Sequence, residues 1–286
     1  MRFDRVAITG GSGRLGAFVT EELRTHCDVT VLDLTPPAGD VRFEQIDVMD
    51  RARLHTALEG HDAVVHLAGI DLDTVTTPDA YLRVNTLGTW NVLEAAQDHG
   101  IKRCALCSSI TATGLHEGRA DFSPLYLPVD EDHPCAPVHA YGVSKQIMET
   151  MATSFARRGG MEIVNLRPML VMLPHNFALI RDRAADHSCR WLFYYVSPGD
   201  VACAFRCALE ARKLPFSTYF VTAQDSCHEK PTLEWFETAL GALPDIRKPE
   251  IYAQHPRASV FDGSRAREIL DFSPTSNWLT LNRNAP

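Results

Sequence analysis

Apolar residues in this chain follow two different rhythms. Six short runs are apolar at most positions: 5–10 (RVAITG), 28–34 (DVTVLDL), 41–46, 63–69 (AVVHLAG), 103–109 (RCALCSS) and 162–168 (EIVNLRP). Such runs, with little polar alternation, predict strands buried on both faces. Between them apolar residues recur every three or four positions, the helical period. Residues 14–24 put Leu15, Phe18, Val19 and Leu23 on one face. The stretch after Asp50, a capping candidate, carries Leu54, Ala57 and Leu58. Two longer helices are predicted at 80–99, stopped by Gly100, and at 141–158, stopped by Gly159 and Gly160. This alternation predicts an α/β fold, a parallel sheet covered by helices on both faces. Past Pro168 the pattern loosens. Residues 198–212 read as a helix, 217–222 as a strand, and 232–240 and 264–270 as short helices, with turn residues between.

The turn after the first strand reads Thr9-Gly10-Gly11-Ser12-Gly13-Arg14-Leu15-Gly16, with glycines at 10, 13 and 16. Glycine there permits a tight turn and lets a pyrophosphate approach the N-terminus of the following helix, where free N–H groups and the helix dipole favour an anion. Asp33 ends the next strand, 20 residues after Gly13. A carboxylate there can hold both ribose hydroxyls and repels a 2′-phosphate, which favours NAD over NADP. Arg14 argues the other way, since it can reach a 2′-phosphate, and Asp33 can also be read as a solvated strand end. Together these features predict a Rossmann-type, doubly wound sheet. Residues 1–168 would form its NAD-binding core, completed by about 198–222. Residues 169–197 and 223–286 would form a small, mostly C-terminal substrate-binding part.

A second constellation is Tyr141-Gly142-Val143-Ser144-Lys145 at the start of a helix. Tyr and Lys at i and i+4 share a face, and a nearby ammonium lowers a phenol pKa, which suits proton exchange with a hydroxyl or carbonyl. Taken alone, the pair can also be two surface residues. Ser108 and Ser109 end the fifth strand, on the edge where such a sheet holds ligands.

Composition narrows the function classes. The chain has 286 residues, 28 Lys and Arg against 36 Asp and Glu, and a net charge of -8, with no basic run. That balance disfavours nucleic acid and anionic membranes as partners. No stretch reaches the about 18 apolar residues of a membrane span, and the N-terminus begins directly with a strand, so the cytoplasm is the expected location. The eight cysteines read as reduced residues, because Cys104 and Cys107 fall on opposite faces of one strand and Cys203 and Cys207 sit in an apolar helix. No metal site is expected. His66, on a central strand, reads as a core or cofactor-side histidine.

Taken together, these motifs resemble the extended short-chain dehydrogenase/reductase superfamily, the NAD-dependent epimerase/dehydratase family, over about the first 210 residues. The resemblance rests on TGGSGRLG (9–16), Asp47-Val48, Val65-His66-Leu67-Ala68-Gly69, the segment 85–96 (NTLGTWNVLEAA), Glu131 and Pro134 ahead of Tyr141, Leu166-Arg167-Pro168, and Phe261-Asp262 through Phe272-Ser273-Pro274. It implies an NAD-dependent oxidoreductase acting on a secondary alcohol or hemiacetal carbon. Tyr141 would be its acid/base, Lys145 would bind the nicotinamide ribose, and Ser109 would orient the substrate oxygen. It further implies cofactor contacts from Gly10, Ser12, Gly13, Arg14, Leu15, Gly16, Asp33 and Leu34 in the first half of the core. Asp47, Val48, Leu67, Ala68, Gly69, Asn85 and Pro168 would add others. Asn85 can equally be a buried packing amide. A homodimer through helices 80–99 and 141–158 is implied as well.

Departures from the family pattern matter too. Ile110 and Thr111 stand where sugar-nucleotide dehydratases carry an Asp-Glu pair, and neither transfers a proton at neutral pH. Thr113 replaces an aromatic residue before Gly114. The short C-terminal part argues for a small substrate. The chain looks most like the uronate dehydrogenase-like members, through 107–109, 190–193 and 197–200. On that likeness Arg190 would clamp a substrate carboxylate, though a surface ion pair explains it as well. Ile110, Thr111 and His175 would line the same pocket, which is less polar than in those relatives. A sugar epimerase would use the same three residues. A non-catalytic dinucleotide sensor is disfavoured by the presence of Ser109, Tyr141 and Lys145 together.

Overall fold

The computed structural model describes residues 2–115, 123–185, 192–212, 214 and 217–283. The chain runs β1 (Arg5–Thr9), α1 (Gly16–Arg24), β2 (Asp28–Asp33), β3 (Arg42–Gln45), α2 (Arg51–Ala57), β4 (Ala63–His66), α3 (Pro78–Leu82), a π turn (Arg83–Leu87) and α4 (Gly88–Asp98). It continues through β5 (Arg103–Cys107), a 3₁₀ turn (Ile110–Thr113), β6 (Tyr126–Leu127), α5 (Ala140–Arg158) and β7 (Glu162–Pro168). Then come α6 (Phe177–Ala185), α7 (Pro198–Glu210), β8 (Ser217–Val221), α8 (Thr232–Leu240), β9 (Asp245–Ile246), α9 (Pro249–Gln254), α10 (Ser264–Leu270) and α11 (Trp278–Arg283).

Seven strands form one parallel sheet in the order β3-β2-β1-β4-β5-β7-β8. The apolar runs are explained by two cores, one on each face. Val6, Ile8, Val65, Ala105 and Val164 face one core, while Ala7, Val64, Leu106 and Ile163 face the other. Helices α1 and α7 cover the first face, and α2, α4 and α5 the second. Each fully buried side chain such as Leu23 or Ile8 contributes about 1.5–3 kcal/mol of transfer free energy. The first core extends into the C-terminal part through Tyr195, Phe236 and Phe261. A second small sheet pairs β6 with β9.

The strand order reverses between β1 and β4, and an opening at their carboxyl ends follows from that reversal. The turn above it needs glycine. Gly10 has φ +74°, and a Cβ there would lie 2.4 Å from the Ala68 nitrogen. At Gly16 it would lie 2.0 Å from the Gly10 carbonyl oxygen.

Several element ends differ from the sequence reading. The first helix begins at Gly16 rather than residue 14, and β4 and β5 stop at His66 and Cys107. Leu67, Gly69, Ser108 and Ser109 keep the small or apolar character of a strand but leave the sheet to line the opening. The single helix expected at 80–99 is three pieces, broken by the π turn around Asn85. The short elements α6, α9, α11, β6 and β9 have too few periodic positions to be read from pattern.

Candidate functional site

A cavity of about 420 Å³ lies beyond the carboxyl ends of β1, β4, β5 and β7. The glycine turn supplies its floor through Gly10, Gly13, Arg14, Leu15 and Gly16. Leu67 and Gly69 border it after β4, Ser109, Ile110 and Thr111 after β5, and Pro168 at the end of β7. Tyr141 and Lys145 enter from the first turns of α5. Residues far apart in sequence are therefore brought to one opening.

Tyr141 is buried, and Ser109 donates a hydrogen bond to its phenol oxygen. Ser109 also caps the 3₁₀ turn, its oxygen accepting the Thr111 N–H at 3.2 Å. Lys145 Nζ donates to the Cys107 carbonyl at 2.8 Å and lies 5.6 Å from the centre of the Tyr141 ring. The expected lowering of the tyrosine pKa by this lysine is not what prevails. Burial raises the phenol well above its usual value, the Asp71 charge adds to the rise, and the Ser109 hydrogen bond only partly opposes it. Tyr141 is thus a neutral phenol at neutral pH, set up to donate a proton.

Behind these side chains lies a buried ionic network absent from the sequence reading. Arg167, near the end of β7, holds Glu149 of α5 with two bonds of 2.8 and 2.6 Å. Ser108 donates to the same carboxylate. Glu149 stands four residues after Lys145 and eight after Tyr141, so it shares their helix face, a signal that was available. The network ties the end of β5 and the end of β7 to the helix that carries Tyr141.

The π turn serves the site directly. Asn85 accepts the Ile70 N–H at 2.7 Å and donates to the Ile70 carbonyl and to Ser144 Oγ, both at 3.1 Å. Its amide fixes the loop after β4 to α5, and it does not line the cavity. His66 is buried between Thr9 Oγ1 at 2.6 Å and Thr89 Oγ1 at 3.0 Å. Burial and then the Lys145 charge push its pKa down to about 3, so it is a neutral structural link.

Other predicted residues lie around this centre. Asp33 is half-buried at the end of β2 and accepts the backbone N–H of Ser12 at 2.9 Å and of Leu34 at 2.7 Å. It thereby fastens the glycine turn to the neighbouring strand. Leu34 is exposed beside it. Asp47 accepts the Met49 N–H, while Val48 is buried against Gly88. Asp47, Val48, Ala68, Ser12, Asp33 and Leu34 lie outside the cavity lining, along the carboxyl edge toward β3. Arg190 lies outside the described residues.

Arg14 does not turn toward the β2 edge. It spans the mouth of the cavity, donating to Asp71 at 2.8 Å and to His175 Nε2 at 2.7 Å, with Asp73 at 3.5 Å. His175 is thus part of an exposed ionic strap rather than the cavity wall, where its neighbour Asn176 stands. Asp71 and Asp73 are not among the site residues that the sequence points to. Their only signal was two charges directly after an apolar strand-end motif.

One feature fits a dinucleotide. A Cβ on Gly13 would meet only the Gly10 oxygen, at 3.2 Å, which leaves the turn open toward a ligand. Separately, Thr111 Oγ1, buried and in the cavity lining, has no hydrogen-bond partner within the protein.

Comparison with known proteins agrees with this architecture. Residues 6–190 match the family described as the NAD dependent epimerase/dehydratase family. A uronate dehydrogenase of Pseudomonas putida is 32% identical over 198 residues, 67% of this chain and 68% of that protein. An L-arabinose 1-dehydrogenase (NAD(P)(+)) of Haloferax volcanii is 30% identical over 228 residues, 77% of this chain and 89% of that protein. The crystal structure of a short-chain dehydrogenase/reductase superfamily protein from Agrobacterium tumefaciens with bound NAD superposes with a TM-score of 0.77. It covers 98% of this chain and 95% of its own at 22% identity, a likeness of fold.

Proposed function

The chain belongs to the NAD dependent epimerase/dehydratase family, and on that premise we propose that it oxidises a secondary alcohol or hemiacetal carbon of a small sugar or sugar acid. It is an NAD-dependent enzyme of the short-chain dehydrogenase/reductase type. The observation that carries the reading is the meeting of Tyr141, Ser109 and Lys145 in the cavity that also opens onto the glycine turn.

Gly10, Gly13, Gly16 and Asp33 would hold the dinucleotide, with Lys145 at its nicotinamide ribose. Bound there, NAD supplies the hydride acceptor for the substrate carbon. Every proton movement then falls to the chain. Tyr141 exchanges a proton with the reacting oxygen, as a donor toward a carbonyl or an acceptor from a hydroxyl. Ser109, whose single hydroxyl proton goes to the phenol in the free site, would turn that proton to the reacting oxygen when substrate binds. In the oxidising direction Tyr141 must first lose its own proton, which burial and Asp71 oppose. The oxidation rate should therefore rise toward alkaline pH. Ile110 and Thr111, at the positions beside Ser109, offer no proton-transfer group for a dehydration.

In this reading residues 1–168, completed by about 198–222, form the NAD-binding core, whose Ser109 and Tyr141 reach the substrate, and 169–197 and 223–286 form the substrate-binding part. Exposed Leu87 and Ile147, beside α4 and on α5, support a homodimer through those helices, and light scattering tests it. The described cysteines are free, which supports a reducing compartment such as the cytoplasm. Among the described residues no helix is long and apolar enough to cross a membrane.

The test is to denature the fresh protein, identify any released dinucleotide by mass spectrometry, and screen sugars and sugar acids for NADH formation. Reversible NAD binding with NADH release on a sugar supports the proposal. Stoichiometric NAD that survives purification, with isomerised sugar and no NADH release, would instead make the chain an epimerase.

A further inference from the structure

We propose that the wall of the cavity beside Tyr141 selects a neutral, hydroxyl-rich substrate and rejects a carboxylate, with Asp71 as the specificity-determining residue. This rests on the reading of the chain as a dehydrogenase acting through Tyr141.

Asp71 lines the same cavity as Tyr141. Its charge is felt at the phenol more strongly than any other charged group, with Asp73 acting in the same sense. One Asp71 oxygen accepts the Leu72 N–H at 2.8 Å and the other accepts Arg14 at 2.8 Å. An ionised carboxyl has about four acceptor positions, so two remain for a ligand. Arg14 is the only cation at this wall among the described residues, and it is shared between Asp71 and Asp73. Lys145, the other cation in the lining, donates to the Cys107 carbonyl and is the residue proposed for the nicotinamide ribose.

A second and independent observation points to a ligand. Thr111 is 4% exposed, lines the cavity, and its hydroxyl has no partner in the protein. A buried hydroxyl without a partner is costly unless a ligand completes it. Asp71 only accepts, and Thr111 both accepts and donates, so sugar hydroxyls satisfy both. A substrate carboxylate satisfies neither acceptor at Asp71 and meets its negative charge. Asp71 is half exposed and paired with Arg14, so for two unit charges roughly 6 Å apart the water-like dielectric constant of about 80 applies, a penalty of about threefold.

The experiment compares matched pairs, galactose with galacturonate and glucose with glucuronate, and adds arabinose. Initial rates are taken with the full-length enzyme and NAD at fixed ionic strength. Binding of the same sugars to the Tyr141→Phe protein with NADH is measured by calorimetry. The neutral member of each pair should have the higher kcat/KM, by about threefold. Asp71→Asn should raise KM for neutral sugars and improve the uronates, collapsing the ratio, whereas Asp71→Glu should preserve it. Higher kcat/KM on the uronates overturns the proposal. So does an Asp71→Asn variant that loses activity on both series equally, because that marks a loop-ordering role. If neither series is oxidised, the dehydrogenase reading fails. The binding data then decide the specificity: tighter neutral sugars sustain the proposal, and equal or absent binding overturns it.

Discussion

Replacing Glu149 by Leu removes one half of a buried ion pair and leaves the Arg167 guanidinium uncompensated. Side-chain exposure is 5% for Arg167 and 11% for Glu149, so water offers the stranded cation little. Two charge-assisted bonds and the Ser108 hydrogen bond go with the carboxylate. Breaking a buried pair in this way costs about 3–5 kcal/mol. Unfolding entropy of about 2.1 cal/mol/K per residue gives a chain of this length roughly 0.6 kcal/mol/K. The melting temperature should then fall by about 5–8 °C. The double variant Glu149→Leu with Arg167→Met removes both charges and should recover most of that loss, a coupling of about 2 kcal/mol or more. Thermal melts followed by circular dichroism on the four proteins measure it. A single variant within about 1 kcal/mol of the parent, or a double variant as unstable as the worse single one, would refute the assignment of this pair as a buried clamp.

Three further outcomes follow from the geometry. Asp33→Ala removes the acceptor for two backbone N–H groups and the carboxylate proposed for the ribose. NADH affinity should fall roughly 10–100-fold, with NADPH discrimination lost in a fluorescence titration. Tighter NADPH than NADH binding by the parent protein would contradict this role. Asn85→Ala breaks three hydrogen bonds between the loop after β4 and α5, and should cost about 2–3 kcal/mol in denaturant titration together with a drop in kcat. Unchanged stability would show that the π turn holds without its amide. Burial raises Glu131 to about 7 despite Arg265 nearby and the Phe220 N–H that it accepts. Its folded pKa lies above the unfolded value, so its contribution to stability is full below about pH 4.5 and is lost as pH rises through about 7. Glu131→Gln should therefore melt higher than the parent at pH values above about 7 and lose that advantage under acid conditions. A constant difference across pH would mean the carboxyl is not buried as described.

The sheet was legible because its central strands are covered on both faces, so Val6 to Ile8 or Val64 to Val65 admit no polar residue. The glycine turn was legible because Gly10 and Gly16 sit where a Cβ collides with backbone. Periodicity could not see where Leu67 or Ser108 leaves the sheet, since loop residues lining an apolar cavity keep a strand's composition. Nor could it see the break at Asn85, which is caused by side-chain bonds to Ile70 and Ser144 on other elements. Pairings such as Arg14 with Asp71, or Arg167 with Glu149, join distant segments and have no local signature. The tyrosine pKa has no local signature for the same reason. Lys145 is near in sequence, but burial and Asp71, both products of the tertiary fold, weigh more.

The central claim is that Tyr141 exchanges the proton in an NAD-dependent oxidation. The most direct test is turnover of the Tyr141→Phe protein, measured beside its affinity for NADH. Loss of at least about a hundredfold in kcat with NADH affinity within about threefold of the parent is the predicted result. Full activity in that variant would contradict the account.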